Sequence, residues 1–370
     1  MKVRNSNIEI LRLVLMVAIL GWHILIYGFG LKDMESTTCI SEGCFPNENM
    51  ALALTSLFAP ATYCFMFITG YFGMNFSLKK FMTLETCLIL TALLITVLKY
   101  LFGFPVKPTQ IIYSFIPVSK FTWWFMTYYM LILVISPIIN NGIREISKPQ
   151  FQLIILLLLA YNILSFIRLQ PNGGSNFIGL FTVFLVGKYC SMYNFDISRR
   201  WAFTLFVACF ALQLTAMLFC NRYFHSYLFR FLNYNTPLLM IMSISLFYGV
   251  KNMKARSNKR INFILRPTLF IYLITDGIQE PFYQWLVSIA NGQLLTGCIY
   301  IVFTITICLI LGHLIMILAE KIVTTISQII QPKHSKIIVF PLGFREVFSL
   351  LPSCLWIHLE QHHRNGRFRK

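Results

Sequence analysis

Apolar residues along this chain run together in blocks of about twenty, parted by short polar stretches, and seldom alternate with period two. About twenty apolar residues let an α-helix cross a hydrocarbon core of about 30 Å. Windows of about 19 residues locate ten blocks, at 8–29, 51–72, 81–103, 121–139, 151–167, 175–193, 201–219, 234–250, 267–289 and 293–318. The pattern predicts an all-α, polytopic membrane protein with about ten transmembrane helices. The longest connections, 30–50 and 251–266, leave no room for a soluble domain of useful size. The organisation read from this is a transmembrane region over 1–318 and a basic cytoplasmic tail of unknown role over 319–370. No internal repeat is evident, which weighs against transporter folds built from duplicated halves.

Composition agrees. The 370 residues are 57% hydrophobic and 12% charged, against about 25% charged in soluble domains. The net charge of +18 would suit nucleic acid, but its distribution argues against that partner. With the N-terminus placed in the cytoplasm, 22 of the 31 Lys and Arg fall inside, 6 outside, and Arg12, Lys99 and Lys188 within segments. That bias is the positive-inside rule, and it puts both termini in the cytoplasm. The first segment starts with basic residues, as a signal peptide does. Its length, its internal Glu9 and Arg12 and the lack of an A-x-A-like site predict a retained helix instead. Cys39 and Cys44 share the external loop, where a disulfide is chemically permitted. The cysteines lack zinc-type pairing, and His334, His358, His362 and His363 in the tail are too scattered for a metal site.

The polar residues that interrupt apolar blocks carry the chemistry. Ionisable groups at membrane depth cost about 2.5–3.5 kcal/mol each on insertion scales, and they usually face a bundle interior. The first block holds Glu9, Arg12 and His23. Arg12 and His23 are eleven residues apart, about three full turns, so they share one face at roughly 16 Å along the axis. Glu9 and Arg12 can pair at i, i+3, and His23 can be either a functional group or an interior histidine bonded to a neighbouring helix. The second block closes on Phe65-Met-Phe-Ile-Thr69-Gly70-Tyr71-Phe72-Gly73, which taken alone is a weak site signal and reads as close helix packing at small residues, with Tyr71 and Phe72 as interfacial aromatics. Trp123 and Trp124 open the fourth block. Trp123 is expected in an external aromatic belt, whereas Trp124 and Tyr128 share a face and can line a pocket mouth. Tyr272, Thr275, Asp276, Gln279 and Glu280 form a polar stripe on a helix expected to stop at Pro281.

These elements together resemble acyltransferase family 3. Asn5-Ser-Asn-Ile-Glu9-Ile-Leu-Arg12, ten residues and His23 are similar to its R-x10-H signature. Phe67-Ile-Thr69-Gly70-Tyr71 resembles its aromatic-x-[ST]-G-[FY] element. Trp124-Phe-Met-x-x-Tyr129 with Ser136-Pro137, Gly173-Gly174 through Leu185-Val-Gly187-Lys-Tyr189, Tyr234-Asn235-Thr236-Pro237 and Thr268-Leu-Phe-Ile-Tyr272-Leu-Ile follow in the family's order. The likeness covers residues 5 to about 318 and leaves the tail out. Thr69 stands where Ser is common, and Thr275 stands where the family usually has a histidine.

The resemblance implies a multi-pass O-acyltransferase of the bacterial inner membrane. It would move an acyl group, often acetyl, from cytoplasmic acyl-CoA to a carbohydrate hydroxyl of a surface polysaccharide or its lipid-linked precursor, beside the polysaccharide-synthesis machinery. Acyl-CoA enters as co-substrate, with no tightly bound cofactor. On this basis His23 and Arg12 are the catalytic candidates. Arg12 would hold the phosphate end of coenzyme A, and His23 would act as general base or transient acyl acceptor. Thr69, Tyr71, Trp124, Tyr128, Tyr272, Thr275, Asp276 and Glu280 are substrate-binding candidates. A transporter or flippase that uses Arg12, His23, Asp276 and Glu280 as a polar pathway is the alternative, as is a non-catalytic partner in polysaccharide synthesis.

Overall fold

A computed structural model describes residues 5–30, 48–167, 173–290 and 294–330. Cys39, Cys44 and the tail histidines lie outside the described residues. The chain divides into two units, Met1–Thr324 and Thr325–Lys370, and the site belongs to the first. Among the described residues every regular element is a helix, and the chain is an all-α polytopic membrane protein.

In chain order the helices are α1 (Ser6–His23, continued by a π-helical turn Ile24–Gly28), α2 (Glu48–Phe58), α3 (Ala61–Phe72), α4 (Leu78–Leu101) and α5 (Pro108–Ser114). Then come α6 (Trp124–Glu145), α7 (Lys148–Phe166), α8 (Phe177–Met192), α9 (Arg199–Tyr223) and, after a 3-10 turn at His225–Leu232, α10 (Pro237–Lys251). The last are α11 (Lys259–Ile264), α12 (Leu269–Ile278), α13 (Glu280–Ala290) and α14 (Leu294–Ile330). Each of the ten apolar blocks is helical, but seven segments of the described residues are long and apolar enough to cross a membrane, not ten. Two blocks give clearly short helices, α8 with 16 residues and α10 with 15, because each block also takes in residues of the connection before it, such as Ser175 before α8 and Tyr234 before α10. At the other extreme α14 runs to Ile330, past the tail boundary drawn at 319 from the pattern.

Burial separates the layers. The Glu48–Phe72 segment is 72% buried and the last span only 17%, so the former is central and the latter turns most of its surface to lipid. Small residues let α3 approach α8. A Cβ at Gly70 would run into the Phe184 carbonyl, and one at Gly187 into that of Phe67. This is the small-residue packing that apolar surroundings require, since helices in lipid associate by close contact.

Hydrogen bonds fix which helix ends lie together. The Ser6 N–H donates to the Arg256 carbonyl (2.8 Å) and Asn7 Nδ2 to that of Lys254 (3.0 Å). Lys251 Nζ pairs with Asp196 Oδ1 at 3.0 Å. The start of α1 and the ends of α8 and α10 therefore share one end of the bundle. Trp123 departs from the aromatic-belt expectation. It is 1% exposed, and its Nε1 donates to the Leu273 carbonyl at 3.1 Å. An indole can be buried once its N–H is satisfied, and here it ties the head of α6 to α12.

Candidate active site

Met16, Ile19 and His23 follow i, i+3, i+7 along α1, so one stripe of that helix forms one wall of a buried cavity. Thr62 and Phe65 of α3, Trp124 and Phe125 of α6, Tyr234 before α10 and Tyr272 of α12 complete it. The cavity measures about 20 Å³, enough for one water, which needs roughly 10–15 Å³. It lies at the opposite end of α1 from the Ser6–Arg256 contact. The helix widens into a π turn immediately after His23, an irregularity frequent at functional sites.

His23 is buried and has two polar partners from two different helices. Its Nδ1 lies 3.1 Å from the Tyr283 hydroxyl on α13, and its Nε2 lies 3.8 Å from Asp276 Oδ1 on α12. The partners assign the tautomer. A carboxylate only accepts, whereas a phenol can donate. The proton thus belongs on Nε2, facing Asp276, while Nδ1 accepts from Tyr283. Carboxylate, imidazole and hydroxyl stand in the order that general-base catalysis uses. Rings of Tyr27, Tyr272 and Tyr283 surround the imidazole at centroid distances of 5.7, 6.3 and 5.6 Å. The Tyr272 hydroxyl lies near Asp276 without a well-directed hydrogen bond.

This geometry depends on a break in the chain. The polar stripe was expected to sit on one helix ending at Pro281; instead α12 stops at Ile278, Gln279 adopts φ 64°, and α13 starts at Glu280 with Pro281 in its first turn. Proline is tolerated there because first-turn N–H groups have no intrahelical partner. The turn carries Asp276 and Tyr283 onto the same imidazole from separate helices.

A family model described as "Acyltransferase domain" matches residues 5–313. The chain belongs to acyltransferase family 3. No curated protein and no solved structure matches it. The chain is thus a membrane acyltransferase, and the match spans the described helices from the start of α1 into α14.

Within the acyltransferase site the structure gathers His23, Trp124 and Tyr272 on the cavity wall and places Asp276 beside His23. The other candidates lie elsewhere. The Arg12 guanidinium bonds Glu9 through Nη1 at 3.1 Å, keeps a buried Nε without a hydrogen bond, and does not line the cavity. The Thr69 hydroxyl donates to the Phe65 carbonyl of its own helix (3.1 Å). Thr275 is the exception: its hydroxyl donates to the Ile271 carbonyl (2.7 Å) and also lies against the Tyr283 hydroxyl that bonds His23. Tyr71 sits at the far end of α3 among Phe67, Phe247 and Tyr248, because six residues of helix carry it about 9 Å from Phe65. Tyr128 packs edge-on to Trp124, behind the cavity wall. Glu280 opens α13, and its side chain lies outside the described set.

Three site groups escaped the sequence reading. Tyr283 lies beyond the break, where helical spacing from Asp276 no longer applies. Thr62 and Tyr234 meet only in three dimensions, with Thr62 Oγ1 3.4 Å from the Tyr234 hydroxyl. Tyr234 did carry a signal, since it opens the Tyr234-Asn235-Thr236-Pro237 element.

Proposed function

We propose that this acyltransferase moves an acetyl-type acyl group from acyl-CoA to a carbohydrate hydroxyl of a surface polysaccharide or its lipid-linked precursor, with His23 as general base. The observation that carries the reading is the Asp276–His23–Tyr283 arrangement at the wall of the buried cavity. In the resting site the Tyr283 hydroxyl occupies the Nδ1 lone pair. The acceptor hydroxyl takes that place and gives its proton to Nδ1 as its oxygen attacks the thioester carbonyl. The new C–O bond forms, the C–S bond breaks, and the thiolate leaves and takes up the proton. Asp276 supports the imidazolium that exists between these transfers. Tyr272 and Tyr234 line the same cavity, and their hydroxyls can steady the developing oxyanion. A cavity of about 20 Å³ does not hold a sugar and a thioester, so the side chains around it part when substrates bind.

Arg12 supports the donor side of this reading. It lies on the His23 face of α1, about 16 Å closer to the helix start. A guanidinium suits phosphate by charge and by its planar donor fork. The Lys and Arg bias supports a cytoplasmic position for that end, where acyl-CoA is available, and with it both termini on the same side of a bacterial inner membrane.

The test is acetyl transfer from labelled acetyl-CoA in membranes that hold the full chain, with mass analysis of surface glycans. His23→Ala is expected to lower transfer by about 10²–10⁴-fold, the usual worth of a positioned base. Arg12→Ala is expected to raise the KM for acetyl-CoA, and Arg12→Lys to recover part of it. Full transfer by a stably made His23→Ala chain would overturn the reading.

A further inference from the structure

A second cavity, of about 250 Å³, opens at the other end of α3 and α6, which also line the His23 cavity. Tyr71 and Gly73 at the close of α3, Asn140 and Arg144 in the last turns of α6, and Lys188 and Ser191 in the last turns of α8 line it. It carries two cations and no carboxylate. Among the described residues the ion pairs are Arg12–Glu9, His23–Asp276, Lys251–Asp196 and Arg266–Glu320, so neither Arg144 nor Lys188 has a counter-charge there. The two are near enough for their like charges to act on each other. Gly73, with φ 82°, keeps the wall beside Lys188 bare, since a Cβ there would stand 3.7 Å from Nζ. The Asn140 amide is held by the Met74 carbonyl (2.9 Å) and Asn75 Oδ1 (3.2 Å), while its Oδ1 is buried without a partner.

Helix C-termini attract cations, which accounts for basic residues near these ends. That attraction fades within the last turn and gives no reason for two cations from different helices to meet at one concave wall. A concavity of one sign focuses field and gathers the opposite charge. Guanidinium and ammonium together suit phosphate, the first by its fork and the second as a point charge. At about 250 Å³ the space is below the roughly 300–1,000 Å³ of pockets that enclose a drug-sized ligand. It fits a phosphate-bearing head with the remainder of the ligand outside.

We propose that the cavity between the ends of α3, α6 and α8 binds a phosphate group through Arg144 and Lys188. The group belongs either to a soluble nucleotide-type ligand or to an anionic lipid headgroup. The proposal does not depend on the acyl-transfer mechanism at His23.

The test uses the purified full chain in phosphatidylcholine nanodiscs, titrated with inorganic pyrophosphate at low salt by calorimetry. Saturable binding is expected, weakened about ten-fold or more in R144Q/K188Q and largely restored in R144K/K188R. Displacement of pyrophosphate by coenzyme A assigns the site to a nucleotide. Its loss in phosphatidylglycerol nanodiscs assigns it to a headgroup. H23A should keep pyrophosphate binding, so failure of the His23 chemistry leaves this result standing. A wild-type chain that binds no pyrophosphate, or R144Q/K188Q that keeps its Tm and binds as wild type does, would overturn the proposal.

Discussion

The two ends of α3 and α6 solve opposite problems. At one end His23 meets an acceptor and a donor already in place, Asp276 and Tyr283, in a space for a single water. At the other, Arg144 and Lys188 face a cavity more than ten times larger, with no described counter-charge. The first end is narrow and its polar groups are already partnered, as preorganised proton transfer requires. The second is roomy and holds its charge for a ligand to neutralise. Rigid helices keep the two apart, so changes at one should leave the other's measured property intact.

The sharpest way to break that separation is Asp276→Asn. It keeps the shape and removes the charge beside Nε2, and transfer is expected to fall about 10²-fold, comparable to a misplaced catalytic group. Pyrophosphate affinity should not move; a parallel loss of both would show that the ends are coupled. Next is Gly70→Val, which forces α3 off α8 between the two cavities. Overpacking of this kind costs about 1–3 kcal/mol. A lower Tm with both functions impaired together is the expected outcome. Tyr283→Phe is milder. The acceptor displaces this phenol before transfer, so losing its bond to Nδ1 should lower stability by about 0.5–1.5 kcal/mol, read as a lower Tm, and leave transfer itself nearly unchanged. The smallest expected difference is in salt dependence. Exposed charge is screened over about 10 Å at 0.1 M and about 3 Å at 1 M. Raising salt between those limits should weaken pyrophosphate binding and barely alter the turnover of saturated enzyme.

The asymmetry also explains what the sequence could tell. His23, Trp124 and Tyr272 were legible because each lies on a helix whose apolar neighbours set its phase. Thr69 and Tyr71 were read as part of the same site because a motif is contiguous on paper, whereas a helix sends its members to different heights and faces. Asp276 was legible as a candidate, but not as the partner of His23, since no spacing relates α1 to α12. Tyr283 was hidden by the break at Gln279, and Trp123 by its proximity to a block edge, where an aromatic belt is the usual expectation. The ten blocks marked helices well and spans less well. Apolar composition extends into connections, but the length that decides crossing is that of the helix itself.

The break at Gln279 has a mechanical consequence. Were Asp276 and Tyr283 on one continuous rod, any tilt of that rod would move both relative to the imidazole. Because a single residue at φ 64° joins two short rods, the carboxylate and the phenol have separate hinges about a fixed His23. α12 is tied to Trp123 through the Leu273 carbonyl, whereas α13 is seated on the π turn, where Gly28 leaves just enough room for Val287 and the Tyr283 backbone. The carboxylate is thus anchored to α6 and the phenol to the helix that carries the base, so each partner of His23 has its own footing.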